Sequence, residues 1–383
     1  MYRVSQQYYY RIHHVRPRFK SDVENVLLFM AEESCKIPDG PYREYSAAFN
    51  AAIRLYPGNE GVAEKTINNW RTEISSLFGF YIEDKQIDYT KTGEMAKVLA
   101  THQDLMQFFK YFLFTFQYPG GHTKKEVVLD MIQHGIRFKP AKYIASVLIY
   151  GNDQRKATGK LFGISKAEAT HCIFNDLRVT RDNRKPGEVY DLIIENRNKR
   201  IDYDTQGDVI RYAGDILDYM VLANLLKEEH GYYYLNGMEA EAISSYIIQD
   251  KWFTGYDKFY GKVVDLAELD DPKVEWFKYV NDNIDSTAFS TNIADFIQEQ
   301  YPKDEYSKLV KEKITEIFEA EDFSTKDIGD LGESLVIGHE KMRIKECGLE
   351  DCLHLIVKIP TALGVGYDVQ SLEGTPDRVK RYI

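Results

Sequence analysis

The sequence predicts a mostly α chain with small β wings, built from modules in tandem and finished by a short α/β region. Three observations carry this expectation. Apolar residues recur at helical spacing through most of the chain, short strand-like runs flank polar tips, and glycine-separated strands appear only near the end. A length of 383 residues, against about 150 for a usual domain, argues for two or three domains. Hydrophobic residues make up 44%, enough to fill real cores, and 11 Pro with 25 Gly exclude a fibrous or disordered chain.

Phe19–Glu33 and Pro41–Tyr56 read as amphipathic helices, the second broken by Pro57-Gly58-Asn59. A third spans about Ala63 to Phe78, where Ile67, Trp70, Ile74, Leu77 and Phe78 form one stripe. Its opposite face shows Lys65, Asn68, Asn69 and Thr72, with Arg71 at the margin. Phe80-Tyr81-Ile82 and Ile87-Asp88-Tyr89 flank the polar tip Glu83 to Gln86 as a hairpin, and Thr90 or Thr92 caps a helix through Leu99. Helix, hairpin, helix in that order is what a winged helix-turn-helix looks like.

A similar order recurs. Ser165-Lys166-Ala167-Glu168 is a capping box, opening a helix to about Leu177, and the basic loop Arg178 to Lys185 follows. Gly207–Leu226 carries the stripe Val209, Tyr212, Ala213, Ile216, Met220 and Leu225, then Tyr232–Leu235 is strand-like and Asn236 caps a helix through Ile248. Two to three such units without a fixed period make a tandem, not a solenoid. Asp265–Ala320 reads as an acidic helical connector. A helix from about Ile328 to Cys347 precedes strands Leu353–Ile359 and Tyr367–Leu372, and Val379–Ile383 starts another. The expected boundaries are 1–120 for the first module, 121–262 for the second and third, 263–322 for the connector and 323–383 for the α/β region.

The net charge of -11 is unevenly spread. Residues 1–20 carry Arg3, Arg11, Arg16, Arg18 and Lys20 with no acid, and residues 154–200 hold 11 bases against 6 acids, whereas residues 265–351 hold 10 bases against 23 acids. A polyanion feels patches within about 8–10 Å, so the composition permits a nucleic-acid-binding front half joined to an acidic connector. No apolar stretch is long enough to span a membrane, and four cysteines (Cys35, Cys172, Cys347, Cys352) make no disulfide framework at this length. A cytoplasmic chain without membrane partners is expected.

In a winged helix, the second helix of the helix-turn-helix lies in the major groove, where amides pair with adenine and guanidinium with guanine. Asn68, Asn69 and Arg71 are the side-chain types that reading needs; Lys65 suits a phosphate, and Thr72 shares their face. Arg181, Arg184 and Lys185 look like phosphate contacts on their loop. A solvated polar surface is the alternative for both sets. Near the end, Glu333 and Glu340 are seven apart on one helix face, placed to point toward a strand carrying Asp368. Carboxylates converging from a helix and a strand are what a hard Mg²⁺ site requires. His339, Cys347, Cys352 and His354 have zinc-ligand types, but their spacing fits a structural role better.

The run Gly329-Asp330-Leu331-Gly332-Glu333-Ser334-Leu335-Val336, then Val357-Lys358-Ile359-Pro360 and Gly364-Val365-Gly366-Tyr367-Asp368-Val369-Gln370-Ser371, resembles the nuclease-like domain of plant NO VEIN proteins and many bacterial restriction enzymes, a branch of the PD-(D/E)XK fold. The resemblance implies that Glu333 is the helix carboxylate and Asp368 the first metal-binding carboxylate, with Mg²⁺ as cofactor of the intact enzyme. The family's Glu-x-Lys should follow Arg381-Tyr382-Ile383, where this sequence stops. The expectation is therefore a piece of a longer nuclease, inactive alone and with no metal bound. Phe78-Gly79-Phe80, the run Asp88 to Ala96, Phe108–Tyr118 and the module near Gln206–Ile248 are similar to the recognition half of AlwI-like type IIS restriction endonucleases. That likeness implies double-stranded DNA as partner and a transient homodimer for double-strand cutting. The alternative is a non-catalytic winged-helix regulator or scaffold with a degenerate nuclease-like domain.

Overall fold

The structure, a computed structural model, describes residues 1–13, 23–84, 87–206, 209–248, 251–282, 284, 305–318, 336–337, 339–341, 343–359 and 369–383. Helices α1 (Val23–Cys35), α2 (Tyr42–Arg54) and α3 (Glu64–Phe78) lead into a hairpin of β1 (Tyr81–Asp84) and β2 (Tyr89–Thr92), followed by α4 (Glu94–His102). α3 stops because Gly79 turns left-handed, φ 67°, which a residue with a Cβ adopts only at a cost. Gly40, between α1 and α2, adds an antiparallel bridge to Thr90 of β2. Thr90 and Thr92 do not cap α4, contrary to the expectation. Both sit in β2 with buried side chains, Thr92 Oγ1 donating to Ser34 O at 2.8 Å, so the cap position falls to Gly93.

The almost wholly buried α5 (Leu105–Thr115), capped by Asp104, and then α6 (Lys125–Gln133) lead to a second unit. It runs α7 (Pro140–Arg155), β3 (Ile164–Ser165), α8 (Lys166–Ala169), the inserted α9 (Leu177–Thr180) and α10 (Pro186–Asn198), α11 (Arg211–Leu222), hairpin β4 (Leu226–Glu229) and β5 (Tyr232–Leu235), then α12 (Ala240–Ile248). β3 pairs antiparallel with β5 just as Gly40 does with β2, so the edge strand joins the far strand of each hairpin. The Ser165 capping box forms as read. The helix it opens does not run on to Leu177, because Thr170–Phe174 makes a wide π turn that ends at Asn175.

One core joins the two units. Phe78 meets Phe108 and Phe112, and Phe109 stacks on Tyr219 of α11 at 5.3 Å. Within this core Lys110 of α5 is paired with Glu239 beside the second hairpin, Nζ to Oε2 2.6 Å. A second, smaller core gathers Val128 and Ile132 of α6 with Phe253, Tyr256, Trp276 and Phe277, the last two on α13 (Asp270–Val280). α14 (Glu305–Phe318) packs on α7 and α12, burying Ile314. The antiparallel sheet β6 (Val357–Lys358), β7 (Val369–Leu372) and β8 (Lys380–Tyr382) has its own core of Ile344, Cys352, Ile356, Val369 and Leu372. The mostly helical architecture with small antiparallel sheets is the one predicted. No helix among the described residues is long and apolar enough to cross a membrane.

Candidate nucleic-acid interface

On α3 the stripe behaves as its spacing dictates: Ile67, Ile74, Leu77 and Phe78 are buried, and Trp70 is half-buried. Lys65, Asn69 and Thr72 are exposed. Steps of four and three place them on one helix face. The side chains of Lys65 and Asn69 make no hydrogen bond to any described residue, while Thr72 Oγ1 donates to Asn68 O at 2.8 Å.

Arg71 does not stand at the margin of that face. It is 7% exposed, its Nη1 donating to Asn50 Oδ1 (2.7 Å), Ser46 O (3.0 Å) and Asn68 Oδ1 (3.2 Å), and its Nη2 to Tyr42 OH (3.3 Å). Asn50 Nδ2 in turn donates to Asn68 Oδ1 at 2.7 Å and Glu64 Oε1 at 2.9 Å. Arg71 and the half-buried Asn68 therefore pin α2 to α3. A guanidinium that turned outward toward guanine would leave acceptors of α2 buried without a donor, which costs more than one contact returns. The outward set on α3 is Lys65, Asn69 and Thr72. Arg43, exposed in the first turn of α2, is a cation the sequence reading passed over. Its place at the start of the second of three helices was the available signal.

The basic loop is built on a buried carboxylate. Asp176, fully buried, accepts from Arg178 Nε (2.9 and 3.1 Å) and Nη2 (2.6 Å), and lies 3.9 Å from Arg184 Nη1. Hydrogen bonding to Asp176 pushes the Arg178 pKa up, so its charge is fixed. Arg181 is exposed and paired with Asp182 at 2.7 Å, and the half-buried Arg184 pairs with Glu188 at 3.1 Å. Exposed pairs of this kind are worth about 0–1 kcal/mol, so exchanging a carboxylate for a phosphate costs little. Lys185 is exposed and makes no ion pair with a described residue.

An amino-terminal arm lies across the same unit. Tyr2 N donates to Asp202 O (2.7 Å), Tyr9 bridges Asp176, Tyr10 OH donates to Asp130 Oδ2 (2.7 Å), and Arg11 stacks over Tyr212 at 4.8 Å. In the run Tyr8-Tyr9-Tyr10, Tyr10 is buried and Tyr9 is 49% exposed, so only part of it faces solvent.

Residues 2–277, well over half of the chain, match the family described as restriction endonuclease BpuJI, N terminal. The chain belongs to the BpuJI N-terminal family. A crystal structure of pyrene- and phenanthrene-modified DNA in complex with the BpuJ1 endonuclease binding domain is similar, with TM-score 0.62 and 24% identity over 72% of this chain and 98% of that one. A likeness at that identity shows a shared fold. No curated protein matches the chain. The BpuJI N-terminal match takes in α3, the basic loop, the arm and α13 as far as residue 277, while α14 and the sheet β6–β8 lie beyond it.

In that region beyond the BpuJI N-terminal match, Glu333 and Asp368 lie outside the described residues. Glu340 does reach the strand that follows Asp368: Ser371 Oγ donates to its Oε2 at 2.6 Å. Arg343 also holds it, with Nη2 to Oε2 at 2.7 Å and Nε to both oxygens at 3.1–3.2 Å. Both oxygens are thus committed within the protein, so Glu340 ties its helix to β7 instead of offering a metal ligand. Among the described residues no group of three or more His, Cys, Asp or Glu is placed to hold a metal. Hydrogen bonds from Arg343, then from Ser371, hold the Glu340 carboxyl down at about 2. Because the folded value is depressed, this stabilisation is present above about pH 4.3, the unfolded carboxyl's range, and is lost as pH falls toward 2. The Glu340 carboxyl ¹³C resonance is expected to stay in its ionised position at pH 3; a midpoint in the ordinary carboxylate range would contradict the tie.

Proposed function

We propose that this chain is the DNA-recognition portion of a type II restriction endonuclease, reading duplex DNA through two winged helices. The observation that carries the reading is the outward set Lys65, Asn69 and Thr72 on the third helix of a unit whose edge bridge and hairpin are ordered as in a winged helix. The second unit repeats the same strand pairing. In this reading Asn69 faces base edges, where an amide can pair bidentately with adenine, and Lys65, Arg43 and the Arg181–Lys185 loop neutralise phosphates. The family and the DNA complex of a similar fold support it. The arrangement follows the AlwI-like type IIS pattern, with cutting beyond the site by a PD-(D/E)XK domain. In the intact enzyme Asp368, together with the glutamate of the PD-(D/E)XK pattern, would hold Mg²⁺, which would supply activation of water and polarisation of the scissile phosphate; Glu333 would position water or a second metal, and two chains would pair transiently to cut both strands.

A titration of duplex binding against salt tests the central claim. The logarithm of the affinity is expected to fall linearly with the logarithm of salt concentration, with a slope of about −0.9 per phosphate contacted. Absent binding, or binding that ignores salt, overturns it.

A further inference from the structure

We propose that Asn281, at the end of α13, is a positioning residue that sets the direction of α3 and the β1–β2 hairpin from outside their own unit. The inference rests on the reading of α3 as the helix that reads DNA. Asn281 is 6% exposed and uses its whole amide. Its Nδ2 donates to Gly79 O (3.0 Å) and Phe277 O (2.8 Å), and its Oδ1 accepts from Met95 N (2.9 Å). Gly79 is the left-handed residue that ends α3, and Met95 N belongs to the first turn of α4, just past the hairpin. One side chain thus holds both roots of the hairpin and the end of α3 against α13.

The joint is built for close approach. A Cβ on Gly79 would meet Val280 Cγ2 at 2.8 Å, and one on Gly93 would meet Gly79 O at 2.2 Å and Asn281 Oδ1 at 2.8 Å. Tyr81 of β1 stacks on Phe277 of α13, centroids 5.6 Å apart with 20° between planes. α13 shares its core with α6, and α6 reaches the second unit through the arm, where Tyr10 bonds Asp130 and packs on His134. The path Asn281, α13, α6, arm therefore fixes how the first unit's outward face is aimed relative to the second. Without the amide, Gly79 O and Met95 N lose their partner on α13, and only the packing of Tyr81 and Gly79 holds the hairpin and the end of α3 in place, which fixes their direction less tightly. Sequence-independent phosphate contacts tolerate that looser aim; base contacts require a fixed geometry.

The test uses the full chain and a duplex selected by the wild type from a randomised pool, compared with a scrambled duplex, at a temperature well below unfolding. Asn281→Ala is expected to lower affinity for the selected duplex by about tenfold or more while changing the scrambled one by less than about twofold. Asn281→Ser, which keeps a hydroxyl able to donate to Phe277 O four residues earlier, is expected to show a smaller loss of the same ratio and serves if the alanine variant does not fold. Ile243→Ala, buried on α12 and off that path, controls for stability: it is expected to lower the thermal midpoint and keep the ratio. If Asn281 variants keep the ratio, Asn281 is structural only and the proposal falls alone. If the wild type selects no sequence, the reading of α3 falls and takes the proposal with it.

Discussion

A chain carrying alanine at Lys65, Asn69 and Thr72 together is expected to bind its preferred duplex about a hundredfold or more weaker, with its thermal midpoint nearly unchanged. The first half follows from the chemistry of the three groups. A bidentate amide–base pair is worth about 1–3 kcal/mol, and a lysine lost from a phosphate reduces the salt slope by roughly one. Two such contacts already reach the ~2.7 kcal/mol that a hundredfold requires. The second half follows from exposure: all three side chains face solvent, and such substitutions usually stay within about 0.5 kcal/mol each. Fluorescence anisotropy at several salt concentrations, alongside a melting curve, checks both. Unchanged affinity would leave α3 as a solvated surface helix.

Glu239→Ala is expected to destabilise the chain by about 3–5 kcal/mol, because it leaves the Lys110 ammonium unpaired. The Lys110 side chain is 2% exposed, its Nζ lies 2.6 Å from Glu239 Oε2, and Asn224 Nδ2 holds the other carboxylate oxygen at 3.0 Å. Water has no ready access to the orphaned charge. The double variant Lys110→Met with Glu239→Leu is expected to recover most of that loss, since a buried ion pair replaced by apolar groups of similar volume is often close to neutral. Denaturant unfolding of the two single variants and the double one measures the coupling. If Glu239→Ala costs less than about 1 kcal/mol, the pair is not the joint between α5 and the second hairpin that its geometry describes.

What the sequence made legible was local and periodic. The α3 stripe and the Ser165 box are patterns within a few residues, and both appear where expected. β4 is absent from the sequence reading, which ends a helix at Leu226 and assigns nothing to Lys227-Glu228-Glu229, because the run has neither alternation nor β-branched residues; the positive-φ pair His230 and Gly231 folds it onto β5. Arg71 was misplaced because its partners, Asn50, Ser46 and Tyr42, come from another helix, which helical spacing does not report. The same limit hid Asn281, whose partners lie 186 and 202 residues earlier. Glu340 is the converse: the seven-residue interval aims it at the strand it does reach, through Ser371, but gives no sign of Arg343, three residues away on the same turn, which holds the carboxylate.

The arm on the second unit has a consequence for biosynthesis. Residues 2–10 dock on Asn175, Asp176 and Asp202, which leave the ribosome long after them, whereas the first unit's own helices are complete by His102. At roughly 5–20 residues per second, this tyrosine-rich segment waits on the order of ten seconds or more for its seat to emerge. During that interval its tyrosines lack the partners they bury against in the finished fold, and the segment is open to chaperones and proteases.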